Sequence, residues 1–284
     1  RVRVTVSKVG QALSSSVFQY QVQSHSVTPN HGSIEGGNTL HIHGFGFLTL
    51  NSLKLLRVQI AGSNCPIGFF NDTVIKCIVP RASHCLANCT IFVSEYITGG
   101  PFFYSYSRSM TPTILGFEHE NEYLSVVYGV SSIENLTGSI IINEKPICTF
   151  QSVLGQFSPS NESLKSIFQQ ENNVRFTRCA FPHLPAKNYN FHLLIHKLGY
   201  AGVVNSSLSP VIQVFFEVNK IVPRRGNSSG SIITFFGSGF PLDNPTSAIR
   251  FGDLWCDDIK FINSIHGSCR TVSPGHPAAI GGQM

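Results

Sequence analysis

A glycine-rich stretch is the first part of the sequence that could bind a ligand. PNHGSIEGGNTLHIHGFGF, residues 29–47, contains five glycines beside an alternating apolar run. Glycine is used where a backbone turns with positive φ or approaches another group closely, so the stretch could cradle a phosphate. A phosphate loop, however, ends in Gly-Lys-Ser/Thr and leads into a helix N-terminus, whereas an apolar strand pattern follows Gly36-Gly37. We therefore predict turns between strands, with Leu40 and Ile42 facing inward and a bend after Gly46 that buries Phe47.

A second candidate is GNSSG, residues 226–230, which matches the Gly-x-Ser-x-Gly pattern of a hydrolase nucleophile elbow. That elbow requires a strand before it, a helix after it, and acid and histidine partners. Here an alternating strand pattern follows, and Asn227 begins a glycosylation sequon. The sequence therefore favours a turn between strands over a hydrolase.

Two histidines, His41 and His43, are spaced to lie on one face of a strand, where they could bind a metal at two points. No third ligand follows by motif, and an exposed strand face explains the pair more simply. No paired carboxylates stand out among only 15 acidic residues. We expect no catalytic residue, no metal and no cofactor.

Cysteines and sequons together indicate the secretory pathway. Six Asn-x-Ser/Thr sequons with a non-proline middle residue run along a chain with an even number of cysteines. The alternative is that Asn and Ser are merely common in this chain. Cysteines could also bind zinc, but the sequence lacks the two Cys-x2-Cys pairs that are typical of a structural zinc site. The eight cysteines are Cys65, Cys77, Cys85, Cys89, Cys148, Cys179, Cys256 and Cys269, and the sequons begin at Asn71, Asn88, Asn135, Asn161, Asn205 and Asn227.

Composition excludes several classes of protein. Charged residues make up only 12% of the 284 residues, about half the usual quarter. The net charge is +5, but the basic residues are scattered, which argues against nucleic acid as a partner. No run approaches the ~18 apolar residues of a transmembrane helix, and the start lacks a signal-peptide pattern. We expect a fragment of a larger protein, which reaches a membrane only through parts outside this sequence.

The chain repeats, and the repeats suggest its architecture. Residues 27–47, VTPNHGSIEGGNTLHIHGFGF, return at residues 222–240 as VPRRGNSSGSIITFFGSGF. Each is followed by strands that carry a cysteine at either side of a loop. Short strands with frequent turn signals predict β-sandwiches, and residues 161–173 form at most a short loop helix. The predicted divisions are 1–22, the last strands of a preceding unit; 23–108, a complete unit; 109–217, a degenerate unit; and 218–284, an incomplete unit.

These motifs resemble the IPT/TIG domain, an immunoglobulin-like fold. The resemblance rests on Pro-x-x-Gly, a small-residue turn, an apolar strand, Gly-x-Gly-Phe and a later Cys-x-x-Pro. It is good for the first unit, partial for the third and weak for the second. HCLANCTIFV, residues 84–93, is similar to segments of the fibrocystin and fibrocystin-like family. That family implies a very large single-pass membrane protein with many tandem IPT units at ciliary or stereociliary surfaces. Plexins and the hepatocyte growth factor receptor group also carry IPT units, but their Sema and PSI modules are not visible here. Intracellular Rel-type IPT domains carry basic loops and no disulfides, and fit poorly.

The repeats also predict the disulfide pairing, because each unit holds a pair in matching positions. The expected bonds are Cys65–Cys77, Cys148–Cys179 and Cys256–Cys269, which leaves Cys85 to pair with Cys89. Trp255 is expected to pack on the disulfide of Cys256.

Two functions remain. The favoured one is a non-enzymatic, N-glycosylated extracellular segment that serves as a structural, adhesion or coat module and contacts other proteins, including adjacent IPT units. The alternative is a ligand-binding receptor segment, in which the long loop Phe150–Asn173 makes the contact.

Overall fold

The computed structural model describes residues 5–8, 10–11, 21–52, 55–120, 122–131, 135–152, 164–167, 173–204, 207–227, 230–242, 249–251 and 254–271. In these residues β-strands dominate. The chain begins with a two-stranded antiparallel pair, β1 (Thr5–Val6) and β2 (Gly10–Gln11).

The first repeat is a sandwich of two five-stranded sheets. Its strands run in the order β4-β12-β10-β6-β7 in one sheet and β11-β3-β5-β9-β8 in the other. The elements are β3 (Val22–Thr28), β4 (His31–Ser33), β5 (Thr39–Phe45), α1 (Phe47–Ser52), β6 (Val58–Ile60), β7 (Ser63–Asn64), β8 (Ile67–Phe70), β9 (Val74–Ile78), β10 (Cys89–Val93), β11 (Ile97–Thr98) and β12 (Phe102–Ser107).

Alternation along these strands builds the core of the first repeat. Leu40 and Ile42 of β5 are fully buried, while the histidines between and beyond them are half-buried on the other face. Successive side chains of a strand point to opposite faces, so one periodic run fills the core and covers the outside. Tyr104 of β12 closes the core from the opposite sheet.

A short helix, α1, follows Gly46, where the sequence predicts a bend that buries Phe47; Phe47 is buried as predicted. The helix begins at Phe47, directly after Gly46, which has a φ of 79°. Phe47 and Leu50, three residues apart, are both buried in the core of the first repeat. A helix of six residues has little stability of its own, so the burial of these two side chains stabilises it. The helix is too short to show a recognisable 3.6-residue periodicity in the sequence.

The middle of the chain forms two further sheets. Their strand orders are β17-β14-β13-β20 and β16-β15-β18-β19, with β21 also paired to β18. A single helical turn at residues 164–167 places Leu164 in a cluster with Val127 and Val174. Residues 161–163 and 168–172 of the expected loop helix lie outside the described residues, and residue 173 is in a turn. The strands are β13 (Thr113–Glu120), β14 (Tyr123–Gly129), β15 (Leu136–Ile142), β16 (Lys145–Ser152), β17 (Val174–Ala180), β18 (Asn188–Ile195), β19 (Gly199–Tyr200), β20 (Gly202–Val203) and β21 (Val211–Gln213).

The described strands of the last repeat form a single five-stranded antiparallel sheet in the order β22-β23-β26-β25-β24. Its buried cluster is small, consisting of Phe235, Phe240, Cys256 and Cys269. The strands are β22 (Glu217–Val222), β23 (Ile232–Ser238), β24 (Ile249–Phe251), β25 (Leu254–Asn263) and β26 (His266–Thr271).

Contacts between Cα atoms group the chain into two compact units. The first comprises Arg1–Thr113, Gly129–Gly138 and Leu194–Gly202; the second comprises Ile114–Tyr128, Ser139–Leu193 and Val203–Met284.

Candidate functional site

The glycine-rich stretch folds into a tight turn between β4 and β5. Gly36 and Gly37 have φ values of 66° and 89°, in the left-handed region that glycine adopts without steric cost. The backbone of Pro80 and Val79 lies against Gly36 so closely that an added Cβ would come within 2.5 Å of it. The predicted role of these glycines as turn residues is therefore confirmed.

Within the first compact unit, the same turn is hydrogen-bonded to a distant part of the chain. Ser33 N donates to Leu198 O at 2.8 Å, and Tyr200 N donates to Gly36 O at 2.7 Å. The Ser33 hydroxyl donates to Tyr200 O at 2.7 Å. We call residues 33–37 together with 198–200 the turn joint.

Close packing completes the turn joint. A Cβ on Gly37 would lie 2.2 Å from the Tyr200 ring, and one on Gly199 would lie 2.2 Å from Gly36 O. No real Cβ is accommodated at such distances, so both positions require glycine for space as well as for backbone conformation. Nothing in the sequence links these two glycines, since they lie far apart along the chain.

All five backbone N–H groups of residues 33–37 donate hydrogen bonds to acceptors within the protein, which excludes a phosphate-binding role for this turn. A phosphate cradle requires several vacant N–H groups aimed at one point. In the turn joint each amide already has a protein acceptor within 3.0 Å, so no such cradle exists. The acceptors are, in order from residue 33 to residue 37, Leu198 O, Thr111 Oγ1, Ser33 Oγ, Ser33 O and Val79 O.

The flanks of the turn joint are polar. Thr111 bridges two segments, because its hydroxyl accepts from Ile34 N at 3.0 Å and donates to Ser107 O at 2.8 Å. Arg81 Nε lies 2.8 Å from Glu35 Oε2 in an ion pair on the exposed side. Such an exposed pair contributes little stability, about 0–1 kcal/mol, so the backbone hydrogen bonds and the packing against glycine hold the joint.

His41 and His43 lie on one face of β5 with ring centroids 6.3 Å apart. The ring centroid of His25 in β3 also lies 6.4 Å from that of His43, a neighbour that the sequence motif does not predict. Burial lowers the pKa of His41, and the positive charges of Lys76 and His43 lower it further. An environment that disfavours the imidazolium also disfavours a metal cation beside Lys76. Among the described residues, no group of three or more His, Cys, Asp or Glu is placed to hold a metal ion.

The structure forms the four disulfide bonds that the repeats predict: Cys65–Cys77, Cys85–Cys89, Cys148–Cys179 and Cys256–Cys269. Their Cα–Cα distances are 5.5, 5.6, 6.0 and 5.6 Å, all in the normal range for a disulfide. Cys65, Cys77, Cys89, Cys179, Cys256 and Cys269 are buried.

The expected packing of Trp255 on the Cys256 disulfide is wrong. Both residues lie in β25, and Cys256 is buried while Trp255 is 41% exposed. Neighbouring residues of a strand point to opposite faces, so the indole faces away from the disulfide. The guanidinium of Arg250, paired opposite in β24, lies 5.5 Å from the indole ring instead.

Four of the six predicted sequon asparagines fall on described, exposed positions: Asn71, Asn88, Asn135 and Asn227. Asn161 and Asn205 lie outside the described residues. At Asn71 the carboxamide Oδ1 accepts hydrogen bonds from Thr73 N at 2.9 Å, Thr73 Oγ1 at 3.1 Å and Val74 N at 2.8 Å. These bonds use Oδ1 and not Nδ2, the atom to which a glycan would be attached, and Asn71 is exposed.

The hydrolase pattern at residues 226–230 is only partly described, since Ser228 lies outside the described residues. Gly230 N donates to Asn227 O at 3.1 Å, which closes a turn, and strand β23 follows it. A nucleophile elbow would require a helix at this point.

A cleft of about 440 Å³ lies within the second compact unit. Its wall includes Phe215, which is 59% exposed, and His119, whose pKa is lowered by burial. His119 Nε2 is buried and has no hydrogen-bond partner in the described structure. The sequence did not predict this cleft, because its residues come from separate strands. Further lining residues are Glu122, His183, Glu217 and Gly239.

Sheets of short, mostly antiparallel strands, with a disulfide in each repeat, define a tandem immunoglobulin-like module. The model of the IPT/TIG domain matches residues 23–106 and 217–279, and the chain belongs to the IPT/TIG domain family. The predicted all-β fold of tandem immunoglobulin-like sandwiches is thereby confirmed.

Curated relatives are fibrocystins, as the HCLANCTIFV segment indicated. Fibrocystin-L of Homo sapiens is 24% identical over 261 residues, which cover 90% of this chain and 6% of that protein. Fibrocystin of Canis lupus familiaris is 25% identical over 231 residues, which cover 76% of this chain and 5% of that protein. The chain thus spans about a twentieth of the length of these relatives. With the disulfide-linked sandwiches, they point to an extracellular segment of a cell-surface protein.

Among solved structures, the chain matches the full extracellular region of plexin A4, at 14% identity and a TM-score of 0.34, over 96% of this chain and 22% of that one. An ICAM-5 D1–D4 ectodomain fragment has 10% identity and a TM-score of 0.22, over 91% of this chain and 71% of that one. In the described part of the chain, no helix is both long and apolar enough to span a membrane.

Proposed function

We propose that this chain is a non-enzymatic, N-glycosylated spacer and interaction segment in the extracellular part of a large cell-surface protein. The tandem IPT/TIG matches, the disulfides and the exposed sequon asparagines support this proposal. By analogy with the fibrocystin family, its place is a ciliary or stereociliary surface, and its partners are other proteins, including neighbouring IPT units. Any attachment to the membrane lies in other parts of the parent chain.

The proposed domain divisions remain 1–22, 23–108, 109–217 and 218–284. In this division the turn joint connects two repeats, because residues 33–37 belong to the first and residues 198–200 to the second.

The observation that carries the spacer function is the turn joint. Two backbone hydrogen bonds and two glycines without room for a side chain tie residues 33–37 to the hairpin at residues 198–200, which the proposed division assigns to the next repeat. A contact made by backbone groups at fixed distances restricts bending more than a contact between long, mobile side chains does. Restricted bending is what a spacer between a membrane and an outer surface requires.

Fluorescence energy transfer between two probes tests the spacer function. The probes are introduced as non-natural amino acids at the exposed positions Glu95 and Lys197, so that the cysteines are not disturbed. A single narrow distance distribution is expected in the native chain, with a broad one in Gly37→Leu. A broad distribution in the native chain would refute a fixed spacer.

Glycosylation is tested separately. Secreted chain treated with an N-glycosidase is expected to lose mass, and replacing Asn71 by Gln is expected to remove one glycan. Secreted chain that shows no loss of mass would refute this part of the proposal.

The cleft in the second compact unit favours a second candidate function, a receptor segment that binds a protein ligand. Exposed Phe215 and the neighbouring carboxylates and histidines form a mixed surface suited to protein contact. The loop Phe150–Asn173, most of which lies outside the described residues, was the predicted contact. Replacing residues 153–163 by a short Gly-Ser turn tests the loop: cross-linking to a surface partner survives in a spacer and disappears in a receptor that binds through this loop.

A further inference from the structure

One sequon shares a residue with a disulfide. In Asn88-Cys89-Thr90 the middle residue is bonded to Cys85, four positions earlier. The bond holds the Cα atoms of Cys85 and Cys89 at 5.6 Å, whereas four extended residue steps span about 13–14 Å. The bridge therefore keeps the chain that leads into the sequon tightly bent, even in the absence of the rest of the fold.

The folded structure fixes this sequon further. Asn88 has a left-handed φ of 52°, and Cys89 is fully buried at the start of β10. Asn88 N donates to Ser105 Oγ at 3.2 Å, and Thr90 O accepts from Ala61 N at 2.9 Å. The asparagine and the threonine are thus attached to two different neighbouring segments.

The sequon at Asn71 is different. Its middle residue, Asp72, is exposed, and Thr73 Oγ1 donates to Asn71 Oδ1 at 3.1 Å. The hydroxyl and the carboxamide that a transferase must reach together already lie side by side in an exposed turn. In the described structure no corresponding hydrogen bond joins Thr90 to Asn88.

We propose that glycan transfer to Asn88 and closure of the Cys85–Cys89 disulfide compete, so that Asn88 is glycosylated only while Cys89 is still a thiol. The proposal rests on the proposed glycosylation of this segment, and it makes Asn88 a conditional modification site controlled by the redox state of a neighbouring residue. A transferase must hold the asparagine amide and the threonine hydroxyl in one active site, and the bent, cross-linked loop cannot open to enter it.

Glycan transfer uses the side-chain amide of Asn88, and disulfide closure uses the thiols of Cys85 and Cys89. In glycan transfer, Asn88 Nδ2 forms a bond to the anomeric carbon of a lipid-pyrophosphate-linked oligosaccharide, loses one proton, and the lipid pyrophosphate leaves. In disulfide closure, Cys85 and Cys89 lose two protons and two electrons to a disulfide-bearing oxidant, which is reduced to a dithiol.

The order of chain synthesis makes the competition effective. Cys85 and Cys89 close a very short loop that requires no other part of the fold, whereas β12, which pairs with β10, follows the sequon in the chain. The disulfide can therefore close before the sheet that finally covers Cys89 exists.

Glycan occupancy at Asn71 and Asn88 tests the proposal. The native chain, Cys85→Ser and the double variant C85S/C89S are expressed through the secretory pathway, and site occupancy is measured by mass spectrometry of deglycosylated peptides. Native chain is expected to be occupied at Asn71 and poorly at Asn88. Both variants are expected to raise Asn88 occupancy several-fold and leave Asn71 unchanged. Cys85→Ser keeps cysteine as the middle residue of the sequon, so a rise there cannot come from the identity of that residue.

A second measurement does not depend on folding of the variants. Native chain synthesised during a short pulse of reductant in the culture is expected to show the same rise at Asn88. Equal occupancy of Asn88 in native chain, Cys85→Ser and pulsed chain, with Asn71 occupied, overturns the competition alone. Absence of glycan at both asparagines in every sample overturns the proposed glycosylation together with it.

Discussion

At the scale of single residues, the space above Gly37 is as tight as that above Gly199, the other closely packed glycine of the turn joint. The Tyr200 ring occupies the place of a side chain, and the φ of 89° already disfavours any other residue. The two penalties can be separated, because Gly62 has a similar φ of 81° with nothing within 4 Å of an added Cβ.

We expect Gly62→Ala to lower the free energy of unfolding by about 1 kcal/mol, the cost of a left-handed backbone alone. Gly37→Ala should lower it by about 2–4 kcal/mol, because overpacking against Tyr200 is added. Urea unfolding of each purified variant measures both values. Tyr200→Ala in the Gly37→Ala background should recover part of the loss, and equal losses at Gly37 and Gly62 would contradict the clash.

Two buried tyrosines make stability depend on alkaline pH. Burial raises the pKa of Tyr104 well above its usual range and raises the pKa of Tyr106 to about 12. Below the ordinary value of 10 both states keep the phenol proton, so there is no effect. Above pH 10 the unfolded chain releases protons that the folded chain retains, and stability falls as pH rises.

We therefore expect the free energy of unfolding to decrease between pH 10 and about 12, with a smaller slope in Tyr106→Phe. Tyr106→Phe also loses the hydrogen bond from its hydroxyl to Pro80 O, which lowers stability by about 1 kcal/mol at every pH; only the slope tests the ionisation. Tyr96→Phe, at an exposed position, should leave the slope unchanged. Rapid urea unfolding at several pH values gives the slopes.

At the scale of elements, the two disulfides of the first repeat differ in what they join. Cys77 of β9 is held to Cys65, which directly follows β7, and both sulfurs lie in the core of the first repeat. Cys85–Cys89 instead closes a short loop before β10.

Removal of the Cys65–Cys77 bond in C65A/C77A should cost about 3 kcal/mol, as the chain-entropy model gives for a loop of this size. C85A/C89A should cost less, since a shorter loop gains less freedom on opening. Differential scanning calorimetry of the two double variants compares them directly. A larger loss in C85A/C89A would show that the short loop, and not the core bridge, stabilises the first repeat.

At the scale of the whole molecule, the repeats differ in how much core they build. The first repeat closes its core between two sheets, whereas the described strands of the last repeat form one sheet with four buried hydrophobic residues. In the first repeat the outer edge of β3 is paired with β11, while β22 is an edge strand of its sheet in the described residues.

We expect amide hydrogens in residues 218–271 to exchange faster than those in residues 23–108, because local opening is easier where few apolar contacts are buried. Hydrogen exchange with mass spectrometry of the intact chain measures this. Slower exchange in the last repeat would contradict the prediction.

Much of the fold follows from the sequence because it depends on local pattern. Period-two alternation placed Leu40 and Ile42 in the core, and the repeats paired the cysteines, since both depend on residues close in the chain. The same alternation predicts that Trp255 and its neighbour Cys256 face opposite sides of the strand, so the expected packing of Trp255 on the disulfide was inconsistent with it.

The sequence alone could not decide what the glycine turn contacts. Three of the five amide groups of residues 33–37 find acceptors in Val79, Thr111 and Leu198, and only folding brings these distant residues together. Helix α1 likewise exists because Phe47 and Leu50 are buried by other strands. By itself the sequence determined an all-β chain of disulfide-stapled repeats, because backbone periodicity and short loops are local. The tertiary structure decided that the glycine turn joins two parts of the protein and has no free amide for a ligand, because hydrogen-bond partners are fixed only when distant segments meet.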